Sequence, residues 1–124
     1  MTDRTFPHDV IERLDREPEI DVETHSPDGA VRRTTIWVVV DAGEVFIRSV
    51  NGTRARWYRE AVAGTDAAIW IGDDRVPVRV SEATSAGDIA RCSRVLESKY
   101  AGDPSVGAML EPSVLDSTLR VVPA

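Results

Sequence analysis

Short segments rich in β-branched residues, separated by turn-forming residues, run through most of the sequence and limit the folds that it can adopt. Residues 31–40 and 44–50 are two such segments, and the turn-forming tripeptide Asp41-Ala42-Gly43 lies between them. Residues 20–24 alternate between β-branched and acidic side chains, which is typical of a strand with one buried face. Because β-branched residues favour strands and such tripeptides favour tight reversals, the first half of the chain is predicted to form three antiparallel strands.

The second half of the chain carries three more strand patterns. Residues 67–71 and 75–80 flank the turn-forming Gly72-Asp73-Asp74, which predicts a hairpin, and residues 118–122 form the last segment of strand composition. No repeat or long linker interrupts this order. We therefore expect the six strands to close into one barrel, because closure leaves no exposed strand edge.

Three helices are predicted around this barrel. Residues 7–17 and 54–63 have helical compositions, and residues 85–100 place apolar side chains at spacings of three and four behind an N-terminal Ser85. A chain of 124 residues is large enough for one domain with one core. We expect residues 1–124 to form a single α+β domain, a six-stranded antiparallel barrel with peripheral helices.

Composition argues against several classes of function. Acidic residues outnumber basic residues by 21 to 15, whereas nucleic-acid binding by counterion release needs a basic surface. No apolar segment approaches the ~20 residues that cross a bilayer, and the polar N-terminus lacks a signal-peptide pattern, so we expect a cytoplasmic protein. The lone Cys92 lies in a helical pattern, where burial is expected rather than catalysis. His8 and His25 have no partners at ligand spacing, so no metal site is predicted.

The arginines give the strongest indication of a ligand. Fourteen of the 15 basic residues are arginine, and six of them lie in the stretch from Arg32 to Arg59, where a positive patch favours a small anionic ligand. Guanidinium groups, hydroxyls and the backbone N–H groups of an Asn-Gly turn are the donors that a phosphate needs. Trp37 and Trp57 can supply the flat apolar wall that an aromatic ring needs. The alternative is that Trp37, Trp57 and Trp70 belong to the core and that the arginines only solvate strand faces.

Three short motifs in these segments match a known group of proteins. Gly29 and Arg32 match a Gly-x-x-Arg pattern before a strand, and Ser49 and Gly52 match Ser-x-x-Gly after the next strand. Trp57-Tyr58 matches the end of a Pro-x-Trp-Tyr pattern. With these motifs the chain resembles, over nearly its whole length, the split-barrel superfamily of pyridoxamine phosphate oxidases. It is most similar to the deazaflavin-dependent nitroreductase group of that superfamily.

The resemblance implies a six-stranded antiparallel split β-barrel that binds FMN or a 5-deazaflavin coenzyme through its phosphate. The candidate cofactor-binding residues are Arg32, Arg33, Arg48, Ser49, Asn51, Gly52, Arg54, Arg56 and Trp57. Arg32 and Arg33 are both included because a one-residue slip of register would exchange their faces. Arg48 and Arg56 are included because they belong to the same basic segment.

The function implied by the resemblance is that of a flavin- or deazaflavin-dependent oxidoreductase that transfers hydride to a small organic substrate. The cofactor carries such chemistry, so no catalytic acid or base need be encoded, and Tyr58 is the one candidate proton donor. The resemblance also implies a homodimer.

Several residues depart from the pattern of that group and support a second hypothesis. Ala55 stands where a proline is usual, Glu60 where an asparagine is usual, and Thr35 where a proline is common, and the usual lysines are absent. These departures favour a cofactor-free barrel that binds another small anionic molecule and has no redox activity.

Overall fold

The computed structural model describes residues 5–64 and 66–124 and has the α+β composition that the sequence predicts. The α-helices are α1 His8–Arg16, α2 Arg56–Ala63, α3 Ala86–Lys99 and α4 Val106–Met109. The strands are β1 Ile20–His25, β2 Val31–Ile36, β3 Val39–Asp41, β4 Glu44–Ile47, β5 Ala67–Ile71, β6 Asp74–Glu82 and β7 Leu119–Pro123. The 3₁₀ helices Gly52–Arg54 and Pro112–Ser117 precede α2 and β7. None of the helices in this part of the chain is long and apolar enough to span a membrane.

The strands form one antiparallel sheet in the order β2-β1-β5-β6-β7-β4-β3. The prediction of six strands is wrong, because the segment predicted as one strand over residues 31–40 is interrupted at Trp37 and Val38. The buried Val38 donates its N–H to Tyr100 Oη (3.3 Å), and its carbonyl accepts from Lys99 Nζ (2.7 Å). Two side chains at the end of α3 therefore take the backbone of Val38 out of the ladder and divide the predicted strand into β2 and β3.

The position of β2 and β3 makes the sheet curl. Among the described residues β2 pairs with β1 alone and β3 with β4 alone, at opposite edges of the sheet. Three trans peptide steps separate Ile36 from Val39, so their Cα atoms are at most about 11 Å apart. The two edges must therefore approach each other, which gives a half-barrel with an opening along the free edge of β2.

Two apolar clusters hold the helices against this sheet. The larger cluster packs Leu14 of α1 and Trp57 of α2 against strand residues that include Val22. The smaller cluster packs Phe46 of β4 against α3, where Cys92 is fully buried and burial raises the pKa of its thiol to about 11. The thiol is therefore neutral and shielded at physiological pH.

Candidate functional site

A groove runs along the free edge of β2 and past α2. It consists of three adjacent cavities of about 360, 440 and 720 Å³, which we name the aromatic, middle and terminal cavities. The aromatic and middle cavities share the wall residues Thr34, Asn51 and Trp57. The middle and terminal cavities share Arg32, Arg56 and Glu60. The three cavities therefore form one continuous groove, whose lining changes from aromatic side chains to charged side chains.

The edge of β2, rather than one of its faces, forms one wall of the groove. All of residues 32–37 line the aromatic or middle cavity, although neighbouring strand residues point to opposite faces. Ser26 donates its N–H to the carbonyl of Ala30 (2.9 Å), which starts the β1–β2 ladder. In an antiparallel ladder every second residue pair is hydrogen-bonded, so Arg32, Thr34 and Ile36 bond to β1. The backbone N–H and C=O groups of Arg33 and Thr35 therefore point away from β1 and toward the groove. A planar ligand can therefore hydrogen-bond to the strand edge.

Two tryptophans give the aromatic cavity its flat walls. Trp57 of α2 is buried, and Trp37 lies between β2 and β3. The Trp37 ring stacks on Tyr100 with ring centroids 3.9 Å apart and planes 5° from parallel. Tyr100 is fixed in turn by the hydrogen bond that its hydroxyl donates to the carbonyl of Pro18 (2.8 Å), and burial raises the pKa of this hydroxyl to about 12. The wall is held in place before any ligand arrives.

The middle cavity combines two guanidinium groups with one buried carboxylate. The Glu60 side chain is only 8% exposed; its Oε1 accepts a hydrogen bond from Thr24 Oγ1 (2.8 Å), and its Oε2 lies 3.4 Å from Arg32 Nε. Arg56 is the first residue of α2 and forms no ion pair within the described residues. The N-cap residue Ala55 offers no side-chain acceptor, so the first N–H groups of α2 lack a cap and add partial positive charge.

The terminal cavity is the widest part of the groove and has mixed charge. Arg59 lines it beside the shared residues, and Asp66 and His25 lie on its wall. Arg59, Glu60 and Ala63 follow Arg56 by three, four and seven residues, so the four residues lie on one side of α2. This side of α2 lines the groove from Arg56 to Ala63, so the groove follows the length of the helix.

The loop of residues 49–51 forms a further wall of the aromatic cavity, whereas the next residue, Gly52, lines none of the three cavities. Ser49 Oγ accepts the N–H of Asn51 (3.2 Å), while the N–H of Ser49 donates to Ser117 Oγ (3.1 Å). Ser49 and Asn51 both line the aromatic cavity. Gly52 has a φ of +66°, and a Cβ there would lie 3.4 Å from the carbonyl oxygen of Ser113. Glycine therefore allows the sharp turn that leads into α2.

Arg48 is buried in the wall of the aromatic cavity, and its guanidinium donates to protein acceptors. It is 2% exposed, and its Nε donates to Thr118 Oγ1 (2.8 Å). Its Nη1 donates to Ser93 Oγ (3.0 Å) and to the carbonyl of Met109 (2.9 Å), and its Nη2 to the carbonyl of Ile89 (3.1 Å). These acceptors belong to α3, to α4 and to the residue between the second 3₁₀ helix and β7, so Arg48 ties three parts of the chain to the end of β4.

Three other candidate residues lie apart from this groove or turn their side chains elsewhere. Arg33 donates from Nη2 to Asp21 (3.0 Å) and stacks over the Trp70 ring at 4.1 Å, so only its backbone edge is directed to the groove. Arg54 is exposed in the first 3₁₀ helix and lines none of the three cavities. Tyr58 is buried and donates its hydroxyl to the carbonyl of Asp116 (3.5 Å), and burial raises its pKa.

A family model described as "Uncharacterized protein conserved in bacteria (DUF2255)" matches residues 10–121. The chain belongs to the DUF2255 family. A search of curated proteins found no match to this DUF2255 member.

Solved structures share the fold of this DUF2255 protein. The conserved hypothetical protein Rv2991 from Mycobacterium tuberculosis is 16% identical with a TM-score of 0.71, over 99% of this chain and 84% of that chain. The FAD binding protein from Mycobacterium smegmatis is 16% identical with a TM-score of 0.63, over 99% and 92% of the two chains. A structure named F420 Reductase is 20% identical with a TM-score of 0.62, over 95% and 94%. A putative pyridoxamine 5'-phosphate oxidase from Listeria innocua also shares the fold, at 11% identity with a TM-score of 0.67 over 93% and 90% of the two chains, so the resemblance to such split barrels is confirmed at the level of fold.

Some wall residues of the groove carried little or no signal in the sequence. Arg59 follows Arg56 by three residues, and Thr34 follows Arg32 by two, so helix and strand periodicity were the available clues. Glu60 was visible only as a departure from the related group. Met109, which lines the aromatic cavity, gives no sequence signal because a helix distant in the chain brings it there.

Proposed function

We propose that the groove binds a flavin or 5-deazaflavin cofactor and that this DUF2255 member is an oxidoreductase acting on a small organic substrate. The observation that carries the proposal is the order of the groove, in which the cavity walled by Trp37 and Trp57 opens into one lined by Arg32 and Arg56. A planar ring followed by a phosphate-bearing chain has the same order of aromatic and anionic parts. The names of two structural neighbours, an FAD binding protein and an F420 reductase, indicate that this fold accommodates such cofactors.

The residues of the groove fit these parts. Trp37 and Trp57 would hold the ring, and the backbone edge of β2 would hydrogen-bond to its polar rim. Arg32, Asn51 and Arg56 would bind the phosphate, assisted by the uncapped start of α2. The cofactor, when bound, supplies the hydride chemistry, and the protein contributes binding, orientation and exclusion of water from the aromatic cavity.

The remaining candidate residues take supporting roles in this proposal. Ser49 and Gly52 shape the loop beside the ring, and Arg48 holds α3 and α4 in position from behind that loop. Arg33 contributes its backbone edge, and the exposed Arg54 does not contact the ligand in this proposal. Tyr58 is not needed as a proton donor, because its hydroxyl is bonded to Asp116.

The alternative function is a cofactor-free barrel that binds another small anion. The buried carboxylate of Glu60 favours an anion of smaller charge than a phosphate monoester, because its repulsion increases with the negative charge of the ligand. In either case we propose a homodimer, which equilibrium sedimentation of the purified protein tests.

Titration of the purified protein with FMN, FAD and F420 tests the proposed function. Tryptophan fluorescence should be quenched with a micromolar Kd by at least one of them. At 100 times the Kd that ligand should raise the free energy of unfolding by about 2.7 kcal/mol, which a thermal melt detects. If none of the three ligands quenches the fluorescence or raises the melting temperature, the cofactor-free barrel is the better account.

A matched pair of arginine variants tests the position of the phosphate. Arg56→Ala should cost about 1.5–3 kcal/mol of binding to the ligand found in the titration, which is the range for a hydrogen bond to a charged group. Arg54→Ala removes the same charge two residues away but should change the affinity by less than about threefold. A larger effect at Arg54 than at Arg56 would move the phosphate from the middle cavity to the 3₁₀ turn.

A further inference from the structure

The net positive charge at the proposed phosphate position is smaller than the number of arginines in the middle cavity indicates. Arg33 is paired with Asp21, so its guanidinium does not serve the groove. The cations that line the middle cavity with free donors are Arg32 and Arg56, and the buried Glu60 carboxylate lies 3.4 Å from Arg32 Nε. The formal charge of these three groups is +1. A site of that charge matches a monoanion better than a dianion, because an excess negative charge next to a buried carboxylate is repelled.

The groove does not end at the phosphate position. The same three residues also line the terminal cavity, which at about 720 Å³ is the largest of the three. Its additional wall residues include Arg59, Asp66 and His25, so its lining is polar and of both signs. A ligand whose chain stopped at the phosphate would leave this space unused, whereas a ligand that continues beyond the phosphate would fill it with a polar group.

On the basis of the proposed function, we infer that the ligand of the groove is a phosphodiester and that Glu60 selects it over the corresponding phosphomonoester. A monoester carries a charge of about −1.5 to −2 at neutral pH, whereas a diester carries −1. Only the diester has a second ester bond through which the chain can continue into the terminal cavity. Glu60 thus acts as a specificity-determining residue, and FMN, a monoester, is the wrong cofactor for this site.

Pairs of ligands that differ at the phosphate test this inference. FMN and FAD share the ring, the ribityl chain and the first phosphate, which is a monoester in FMN; in FAD it is one half of a diphosphate bridge and carries a single charge, so this pair tests the charge at the first phosphate. F420 and the ribityl monophosphate of its 5-deazaflavin ring form the same kind of pair, and riboflavin has no phosphate. The wild-type protein should bind the longer member of the pair at least tenfold more tightly than the monoester. Glu60→Gln should tighten monoester binding about tenfold, or about 1.4 kcal/mol, and change binding of the longer member by less than threefold.

Glu97→Gln is the matched control, because it makes the same change on the exposed face of α3, outside the three cavities, and should leave the preference unchanged. Thermal melts check the fold of each variant, and glutamine at position 60 can still accept the hydrogen bond from Thr24. Equal affinities for the two members in the wild type, a preference for the monoester, or an equal effect of Glu60→Gln on both would overturn the inference while leaving the proposed function intact. If none of the five ligands binds to the wild type, the proposed function itself fails and this inference fails with it.

Discussion

Replacement of Arg48 by methionine should lower the stability of the free protein by about 3 kcal/mol. The guanidinium donates four hydrogen bonds to Thr118, Ser93, Met109 and Ile89. Four bonds from a charged group, at about 1.5 kcal/mol each, contribute about 6 kcal/mol. Methionine carries no charge, so the variant avoids a desolvation cost of about 3 kcal/mol for the buried guanidinium. Burial of this guanidinium also lowers the pKa of Arg48, which is the same desolvation effect. The hydrogen bonds outweigh the desolvation term, so the net effect is a loss.

Urea unfolding followed by circular dichroism measures this difference, and the melting temperature should fall by roughly 10 °C. Arg79→Met on β6 is the control, since Arg79 is exposed and its replacement should change stability by less than about 0.5 kcal/mol. Arg48→Lys should lie between the wild type and Arg48→Met, because an ammonium keeps the charge but cannot reach all four acceptors. If Arg48→Met is as stable as the wild type, the guanidinium does not hold α3 and α4, and the supporting role proposed for Arg48 is wrong.

Two further predictions concern residues outside the ligand contacts. Hydrogen bonds from Arg75 lower the pKa of Glu23 from 4.5 to about 2, so the carboxylate stabilises the fold above pH 4.5 and this contribution is lost as the pH falls through 2. The stability difference between the wild type and Glu23→Gln, measured by urea unfolding from pH 7 to pH 2, should therefore shrink below pH 4.5; a constant difference would contradict this assignment. Gly52→Ala should cost about 1–2 kcal/mol because alanine disfavours a positive φ, whereas Gly87→Ala, at a helical position with open space around it, should stabilise by about 0.5 kcal/mol. Equal melting temperatures for the two alanine variants would show that the turn at Gly52 is not strained by a side chain.

Local sequence patterns were sufficient to locate most of the strands and the helices that pack on them. β-Branched segments and turn residues predict β1, β4 and the hairpin of β5 and β6, because strand preference and reversal are set by neighbouring residues. The break in residues 31–40 could not be predicted in this way. It depends on Lys99 and Tyr100, which lie some 60 positions further along the chain and reach Val38 only after α3 has packed.

The candidate site was predictable in part for the same reason. The choice between Arg32 and Arg33 needed the register of β1 and β2, which pairs Arg32 with Thr24 and places its side chain toward Glu60. The acceptors of Arg48 come from distant segments, so its sequence neighbours Ser49 and Asn51 could not indicate that protein groups already accept from its guanidinium. Clustered arginines predicted a basic site, but only tertiary structure separates ligand-facing from structural members of the cluster.

The most direct test of the account is an NMR titration of the three tryptophan indole N–H signals with the best ligand found among FMN, FAD and F420. Trp37 and Trp57 line the groove, whereas Trp70 lies under Arg33 with its Nε1 donating to Glu23 (2.9 Å). Binding in the groove should shift the signals of Trp37 and Trp57 in a saturable manner and leave that of Trp70 in place. A saturable shift of Trp70 alone, or saturating binding with Trp37 and Trp57 unchanged, would contradict the central claim that the groove is the ligand site.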